Sequence, residues 1–444
     1  MVFPVVFRVT QFCLLAQIIL APLLLGGERP WAMGILSVLT GIGILALCAK
    51  MPICLPRYLR VIWLMAGLVA GWMIIQSLPI WPVQAAPFNA DHIALYPTAW
   101  HSTAADILWF IATVTLASLL ARKDPHSFIK QVCITTACAA ALQVGLAALD
   151  QINGWNTTFW FAKTAHIGDW TGSLANRNAF AALMVLGMIA SLYCFGGRQQ
   201  VRLGKVLDQK GGWLALAMIF AFALLQSHSR SGFVIALCSL SVFAVMQMRD
   251  NPAWHRILIP IGVFMFGIVF VAWAAPEFTT RFIELARHDL IQRDDAWASA
   301  VHAIIARPMT GFGPGSIALV IDHFATTGLN TNAHWFSSHN VWLDGAIVLG
   351  LPVMVVLLTM GGYAGFKTWH GLKLRPLKAL FCASISIAVL SGSVDWVITL
   401  PALILPMGLV WVGCIEAAGG HHHEVSAQTH VAAQSGAPDQ ASQR

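Results

Sequence analysis

The chain has 444 residues, of which 58% are hydrophobic and 10% charged, and its 26 Lys and Arg against 19 Asp and Glu give a formal net charge of +7. An ordinary soluble domain carries about 25% charged residues, so this composition excludes a soluble enzyme, a disordered chain, a coiled coil and a disulfide-stapled secreted domain. The long apolar runs do not alternate as barrel strands must, which leaves an all-α polytopic membrane protein.

Apolar runs follow one another at 9–27, 31–49, 59–78, 105–121, 130–149, 175–196, 212–228, 231–248, 255–275, 341–363, 376–393 and 400–418, which predicts about twelve transmembrane helices. Residues 211–247 as one helix would reach ~55 Å, nearly twice a ~30 Å hydrocarbon core. That stretch is therefore split at Gln226-Ser227-His228-Ser229-Arg230-Ser231-Gly232, a polar turn. The nine cysteines fall in or beside apolar runs with no CxxC pair and read as small buried hydrophobes. No cleavable signal is evident, because the first run is followed by further spans.

With the N-terminus in the cytoplasm, 18 of the Lys and Arg fall inside and 8 outside, so both termini are expected to be cytoplasmic. The positive charge is then a mark of topology and points to no nucleic-acid partner. The expected division is 1–275, transmembrane helices one to nine with short loops; 276–340, one large outer loop; 341–418, transmembrane helices ten to twelve; and 419–444, a polar, disordered cytoplasmic tail. His421-His422-His423 reads as part of that solvated tail rather than as a metal site. Seven of the eight outer cations are arginine, and four of them lie in 276–340.

Those outer cations carry the chemistry. Arg230 sits at the tip of a tight hairpin, where a guanidinium between apolar spans either meets an anion, lines a wet cavity or snorkels. Arg293 lies four residues before Trp297, on the apolar stripe of a helix over 291–306, and so points toward the protein or membrane body. Asp294 and Asp295 read as first-turn acids that favour the helix dipole, with an acid-base pair as the alternative. Arg307-Pro308-Met309-Thr310-Gly311-Phe312-Gly313-Pro314-Gly315-Ser316 is neither a Walker loop nor a dinucleotide fingerprint, and reads as a structural turn whose amides are also able to hold an anion.

In Ser337-Ser338-His339-Asn340, Ser338 or Asn340 caps the next helix and leaves His339 at its positive end, suited to act as a base or hydrogen-bond partner. Asp344, one turn on, is expected to orient His339 or to pair with an arginine. Asn176 and Asn178 flank Arg177 at the start of another helix, in a capping or a substrate role. Together these residues place two or three arginines, a helix N-terminus and a histidine at the outer bilayer boundary. Arginine binds phosphate bidentately and stays charged, which suits a lipid diphosphate. No metal-ligand spacing appears, and no cofactor is expected.

Four segments resemble the O-antigen ligase/polymerase superfamily: Gly172…Asn176-Arg177-Asn178-Ala179-Phe180-Ala181; Ser229-Arg230-Ser231-Gly232; Arg293…Trp297…Arg307-Pro308-Met309-Thr310-Gly311-Phe312-Gly313-Pro314-Gly315; and His339-Asn340…Leu343…Leu349-Gly350. The resemblance spans about 170–365, with Gly26-Gly27-Glu28-Arg29-Pro30-Trp31-Ala32 fitting less specifically. It implies a metal-independent, inverting glycosyltransferase of the bacterial inner membrane, with a periplasmic active site and membrane lipids around it. Its donor would be an undecaprenyl-diphosphate-linked glycan.

Arg230 and Arg293 would clamp the diphosphate and His339 would activate the acceptor hydroxyl; Arg177, Asn178, Asn340 and Asp344 would contact substrate. An acceptor of lipid A-core makes the protein a ligase; a second lipid-linked glycan makes it an O-antigen or exopolysaccharide polymerase. The ligase pattern has Gly, Thr or Tyr where Met354 stands, a departure that bears on this choice. A bicarbonate-type anion transporter is the more distant alternative; it predicts mid-bilayer ionisable residues, broken helices and internal repeats, whereas the interior spans are nearly free of charge and show no repeat.

Overall fold

The structure, a computed structural model, describes residues 2–48, 55–80, 91–154, 156–158, 161–196, 211–247, 292–330 and 334–434. Helices α1 (Val2–Leu23), α2 (Pro30–Cys48), α3 (Arg57–Ser77), α4 (Trp100–Ala121) and α5 (Pro125–Ile152) precede a two-residue hairpin of β1 (Thr157–Thr158) and β2 (Phe161–Ala162). Then come α6 (Arg177–Phe195), α7 (Gly211–Gln226), α8 (Arg230–Gln247), α9 (292–306) and α10 (Ile317–His323). The chain continues with α11 (Val341–Leu349), α12 (Leu351–Gly371), α13 (Arg375–Val394) and α14 (Pro401–Gln434). Ten of the described helices are long and apolar enough to cross a membrane, and α7 is a shorter apolar helix. The chain is an all-α polytopic membrane protein. The expected span at 255–275, with Arg281 and Arg287, lies outside the described residues.

Helix α6 is the most enclosed span, with Phe180, Leu183, Met184 and Val185 fully buried. It packs against α5, α7, α8 and α13, while α13 lies along α8. In lipid the hydrophobic effect does little to draw helices together, so close packing and interhelical hydrogen bonds carry more of the association. One such network joins three helices. Thr40 Oγ1 lies 2.9 Å from Thr113 Oγ1 and donates to Gln17 Oε1 at 3.2 Å, and Trp109 Nε1 donates to the same Gln17 oxygen. At another helix end, Tyr58 and Ser118 each donate to Glu416 Oε1 at 2.6 Å, with Arg122 Nε 3.6 Å from that oxygen.

Two expectations change. The span expected at 341–363 is broken: α11 ends at Leu349, Gly350 takes φ 83° and ψ 160°, and α12 starts at Leu351 with Pro352 in its first turn. Only glycine adopts those angles readily, and proline suits a helix start. The α11 carbonyls exposed by the break are not left bare. Phe312 N–H and Gly313 N–H donate to Ile347 and Val348, Gln76 Nε2 donates to Val348, and Trp72 Nε1 donates to Leu349. The glycine-containing loop thus caps a helix break, which is the structural-turn reading, and those two amides are unavailable to an anion. The second change concerns the tail expected to be disordered from 419, whose backbone continues α14 to Gln434. No proline intervenes before Pro438.

The split at 226–232 agrees with the structure. Helix α7 ends at Gln226, and Ser229 Oγ accepts from Gly232 N–H at 3.1 Å, capping α8.

Candidate active site

Three spans terminate at one level. Helix α6 begins at Arg177, α8 begins at Arg230, and α13 ends at Val394; at 18–20 residues each they extend about 27–30 Å, the thickness of the hydrocarbon core. Side chains just at or beyond these ends therefore sit at the membrane boundary. Asn176 sets the start of α6 by accepting from Asn178 N–H and Ala179 N–H, which turns the Asn178 side chain toward the ends of α8 and α13.

Asn178 joins those two ends. Its Nδ2 donates to Asp395 Oδ2 at 2.5 Å, and its Oδ1 accepts from Ser229 Oγ at 2.8 Å and Ser231 Oγ at 3.5 Å. The amide orientation follows from chemistry, since an ionised carboxylate only accepts and a hydroxyl is able to donate. Arg230 is the residue between those two serines, so its backbone is fixed beside Asn178.

Asp395 is the centre of the cluster. Its side chain is 3% exposed, yet it is an acid. Trp396 N–H donates to Oδ1 at 2.8 Å, His339 Nδ1 lies 3.3 Å from the same oxygen, and Arg293 Nη2 lies 3.9 Å from Oδ2. Burial raises a carboxyl's pKa. Here the hydrogen bond and charge of His339, the charge of Arg293 and the Asn178 hydrogen bond outweigh it and hold Asp395 below the usual carboxylate range. Because the carboxylate accepts, the neutral form of His339 carries its proton on Nδ1 and has Nε2 as its acceptor.

His339 is held from behind as well. Its φ is +58°, a left-handed conformation that a side chain adopts only when the surroundings impose it. The constraint comes from Asp344, which accepts from Ser338 N–H at 2.9 Å, from Ser338 Oγ at 2.7 Å and from Ser337 Oγ. Ser337 Oγ also accepts from His339 N–H at 2.9 Å. Burial pushes the Asp344 carboxyl up, and those hydrogen bonds offset part of the rise. Asp344 was expected to orient the His339 ring or to pair with an arginine; instead it clasps the turn that presents His339, and Asp395 takes the ring. Asn340 is the cap of α11, accepting from Trp342 and Leu343 N–H, and its Nδ2 donates to Ser393 O at 3.2 Å, which ties α11 to the end of α13.

Arg177 belongs to a second cluster nearby. Its Nη1 donates to Asp169 Oδ2 at 3.4 Å, His228 Nδ1 donates to Asp169 Oδ1 at 2.9 Å, and Lys163 Nζ donates to Asp169 O at 2.8 Å. Burial opposes ionisation of Asp169, but His228 and Arg177 prevail and lower its pKa. Burial, together with Arg177, lowers that of His166, which also feels the charges of Asp169 and Asp395. The two clusters thus share one electrostatic neighbourhood. Helix α8 comes close to α6 directly beneath them, where a Cβ at Gly232 would collide with Ala181 Cβ.

Sequence reasoning brings Arg230, Arg293, His339, Arg177, Asn178, Asn340 and Asp344 to this end of the molecule, and the structure adds Asp395, Asp169 and His228. A signal for Asp395 existed: it is the sole charged residue between the last two apolar runs. Asp295, one of the paired carboxylates, accepts from Thr326 Oγ1 at 2.7 Å and pins the loop after α10. Among the described residues no group of three or more His, Cys, Asp or Glu is placed to hold a metal ion.

No curated protein matches the chain. Residues 214–358, from α7 into α12, match the family model described as O-antigen ligase. That stretch contains Arg230, Arg293, His339, Asn340 and Asp344, while Asn178 and Asp395 lie outside it on either side. Set in a polytopic helical bundle, this stretch of about a third of the chain is similar to the O-antigen ligase family.

Proposed function

We propose that this protein transfers a glycan from an undecaprenyl-diphosphate carrier to a sugar hydroxyl at the periplasmic face of the bacterial inner membrane, as an O-antigen ligase with lipid A-core as acceptor. The match to the O-antigen ligase model supports a glycosyltransferase-like enzyme; the finer reading rests on one observation. A buried carboxylate at the bilayer boundary draws His339, Arg293 and Asn178 together from three separate segments. The same reading puts both termini in the cytoplasm and residues 276–340 in the periplasm, in line with the excess of Lys and Arg on the other side.

In this mechanism Arg293 and Arg230 hold the diphosphate, and their fixed charge stabilises the negative charge that grows on it as the bond to the anomeric carbon breaks. The acceptor hydroxyl attacks that carbon from the opposite side and inverts it. Its proton passes to His339 Nε2, and the Asp395 carboxylate stabilises the imidazolium so formed. Guanidinium groups do the work that a metal does in many phosphate-releasing enzymes, so transfer is expected to persist in chelator. Met354, where the ligase pattern has Gly, Thr or Tyr, favours the second reading: a polymerase using the same site with another lipid-linked glycan as acceptor.

The test is a deletion strain complemented with wild type, Arg230→Ala, Arg293→Ala or His339→Ala, its envelope polysaccharide run on a gel. Loss of polymer on lipid A-core with lipid-linked polymer accumulating identifies a ligase; single repeats on lipid A-core identify a polymerase. Each variant should insert normally and lose transfer by about 100-fold or more, the scale expected of a catalytic acid-base or charge-stabilising group. Near-normal transfer by all three would refute the mechanism.

A further inference from the structure

At the far ends of the same helices lies a polar feature that the proposed transfer does not use. A cavity of about 320 Å³ is lined by Met246 at the end of α8, Trp369 near the end of α12, Lys373 in the link, and Arg375 and Lys378 in the first turn of α13. Helix α13 runs about 30 Å from Arg375 to Val394, so this cavity and Asp395 lie on opposite membrane faces. Among the described residues the lining holds three cations and no carboxylate. Lys378 Nζ sits 4.8 Å over the Trp369 ring, and among the described residues neither Lys373 nor Lys378 has an ion pair. Leu374 gives α13 no side-chain cap, so the positive end of a 20-residue helix adds to the same field.

We propose that this cavity binds the phosphate group of an acidic membrane phospholipid, in the leaflet opposite the candidate active site. Cations gathered between spanning helices at a membrane surface suit an anionic headgroup. A lipid also accounts for what adjoins the cavity better than a soluble phosphate does. Helix α12 is the least enclosed of the ten spans, and it exposes Tyr363 and Phe366 within two turns of Trp369, a strip along which acyl chains can lie.

The test is native mass spectrometry of the full-length protein in detergent, titrated with phosphatidylglycerol or phosphatidylcholine, with inorganic phosphate as competitor. Wild type should retain phosphatidylglycerol in preference to phosphatidylcholine. The double variant Lys373→Ala/Lys378→Ala should bind phosphatidylglycerol about 30-fold more weakly, and Lys373→Arg/Lys378→Arg near normally. Lys373 is exposed, so Lys373→Ala alone should fold and still lose about fivefold. Equal retention of the two lipids, or unchanged phosphatidylglycerol affinity in both alanine variants, would overturn the proposal. So would displacement by inorganic phosphate at concentrations near those of the lipid, which would assign the cavity to a soluble phosphate.

Discussion

Replacing Asp395 by Asn tests the centre of the candidate site with almost no change of shape. The asparagine keeps an oxygen for Trp396 N–H but removes the charge that faces His339 at 3.3 Å and Arg293 at 3.9 Å. A hydrogen bond to a charged group is worth about 1.5–3 kcal/mol, and the 3.3 Å separation argues for the low end. The Arg293 pair is worth ~4 kcal/mol at an effective dielectric of about 20 and ~1 kcal/mol in water; with Arg293 24% exposed, the lower figure is the better guide. The two together come to about 2.5 kcal/mol, or roughly a 70-fold loss of transfer if they act in the transition state.

The assay is transfer of radiolabelled glycan from its lipid carrier by purified protein. The part of the loss that acts through His339 should fall on kcat, and any change in KM for the donor should come through Arg293. Asp395→Ala should behave differently, leaving several buried donors without an acceptor and lowering expression and thermal stability as well. Transfer by Asp395→Asn within threefold of wild type would refute the reasoning.

Gly350→Ala should lower the midpoint of thermal unfolding in detergent, because a Cβ there meets Met309 O at 2.6 Å and the φ of 83° disfavours any side chain; the strain alone is worth about 1–3 kcal/mol. An unchanged midpoint would contradict the break at 350. Asp395 and Asp169 both titrate lower in the folded protein than the ~3.9 of an unfolded aspartate. Each therefore contributes stability that is fully present above about pH 3.9 and lost as pH falls through its folded value. Unfolding temperatures measured from pH 6 downward should drop below about pH 4, and less steeply in Asp169→Asn; equal slopes in the two proteins would count against this assignment.

The helical bundle is legible in the sequence because lipid imposes a simple code, an apolar run of about 20 residues per span. The code fails where backbone geometry outweighs hydropathy. Residues 341–363 are apolar but for Asp344 and Thr359, and nothing in that run except Gly350-Leu351-Pro352 marks two helices rather than one. The arginines and His339 are legible because charge and imidazole are conspicuous beside apolar spans. Asp395 is not legible as a site residue because its partners, at 178, 293 and 339, are distant in the chain, and only folding brings them to the end of α13. Asp344 was identified but its role was not, since sequence spacing does not show whether a carboxylate one turn into a helix faces the ring of His339 or the backbone ahead of it.

The contact between Gly232 and Ala181 has a consequence for engineering. It works as a shim: its thickness decides how far the hairpin bearing Arg230 stands from the asparagine that meets Asp395. A single added methyl there would wedge α8 outward and press on Ser229 Oγ at 3.0 Å, detuning the cluster. Libraries meant to widen glycan tolerance should therefore hold both positions constant and vary the rim around them.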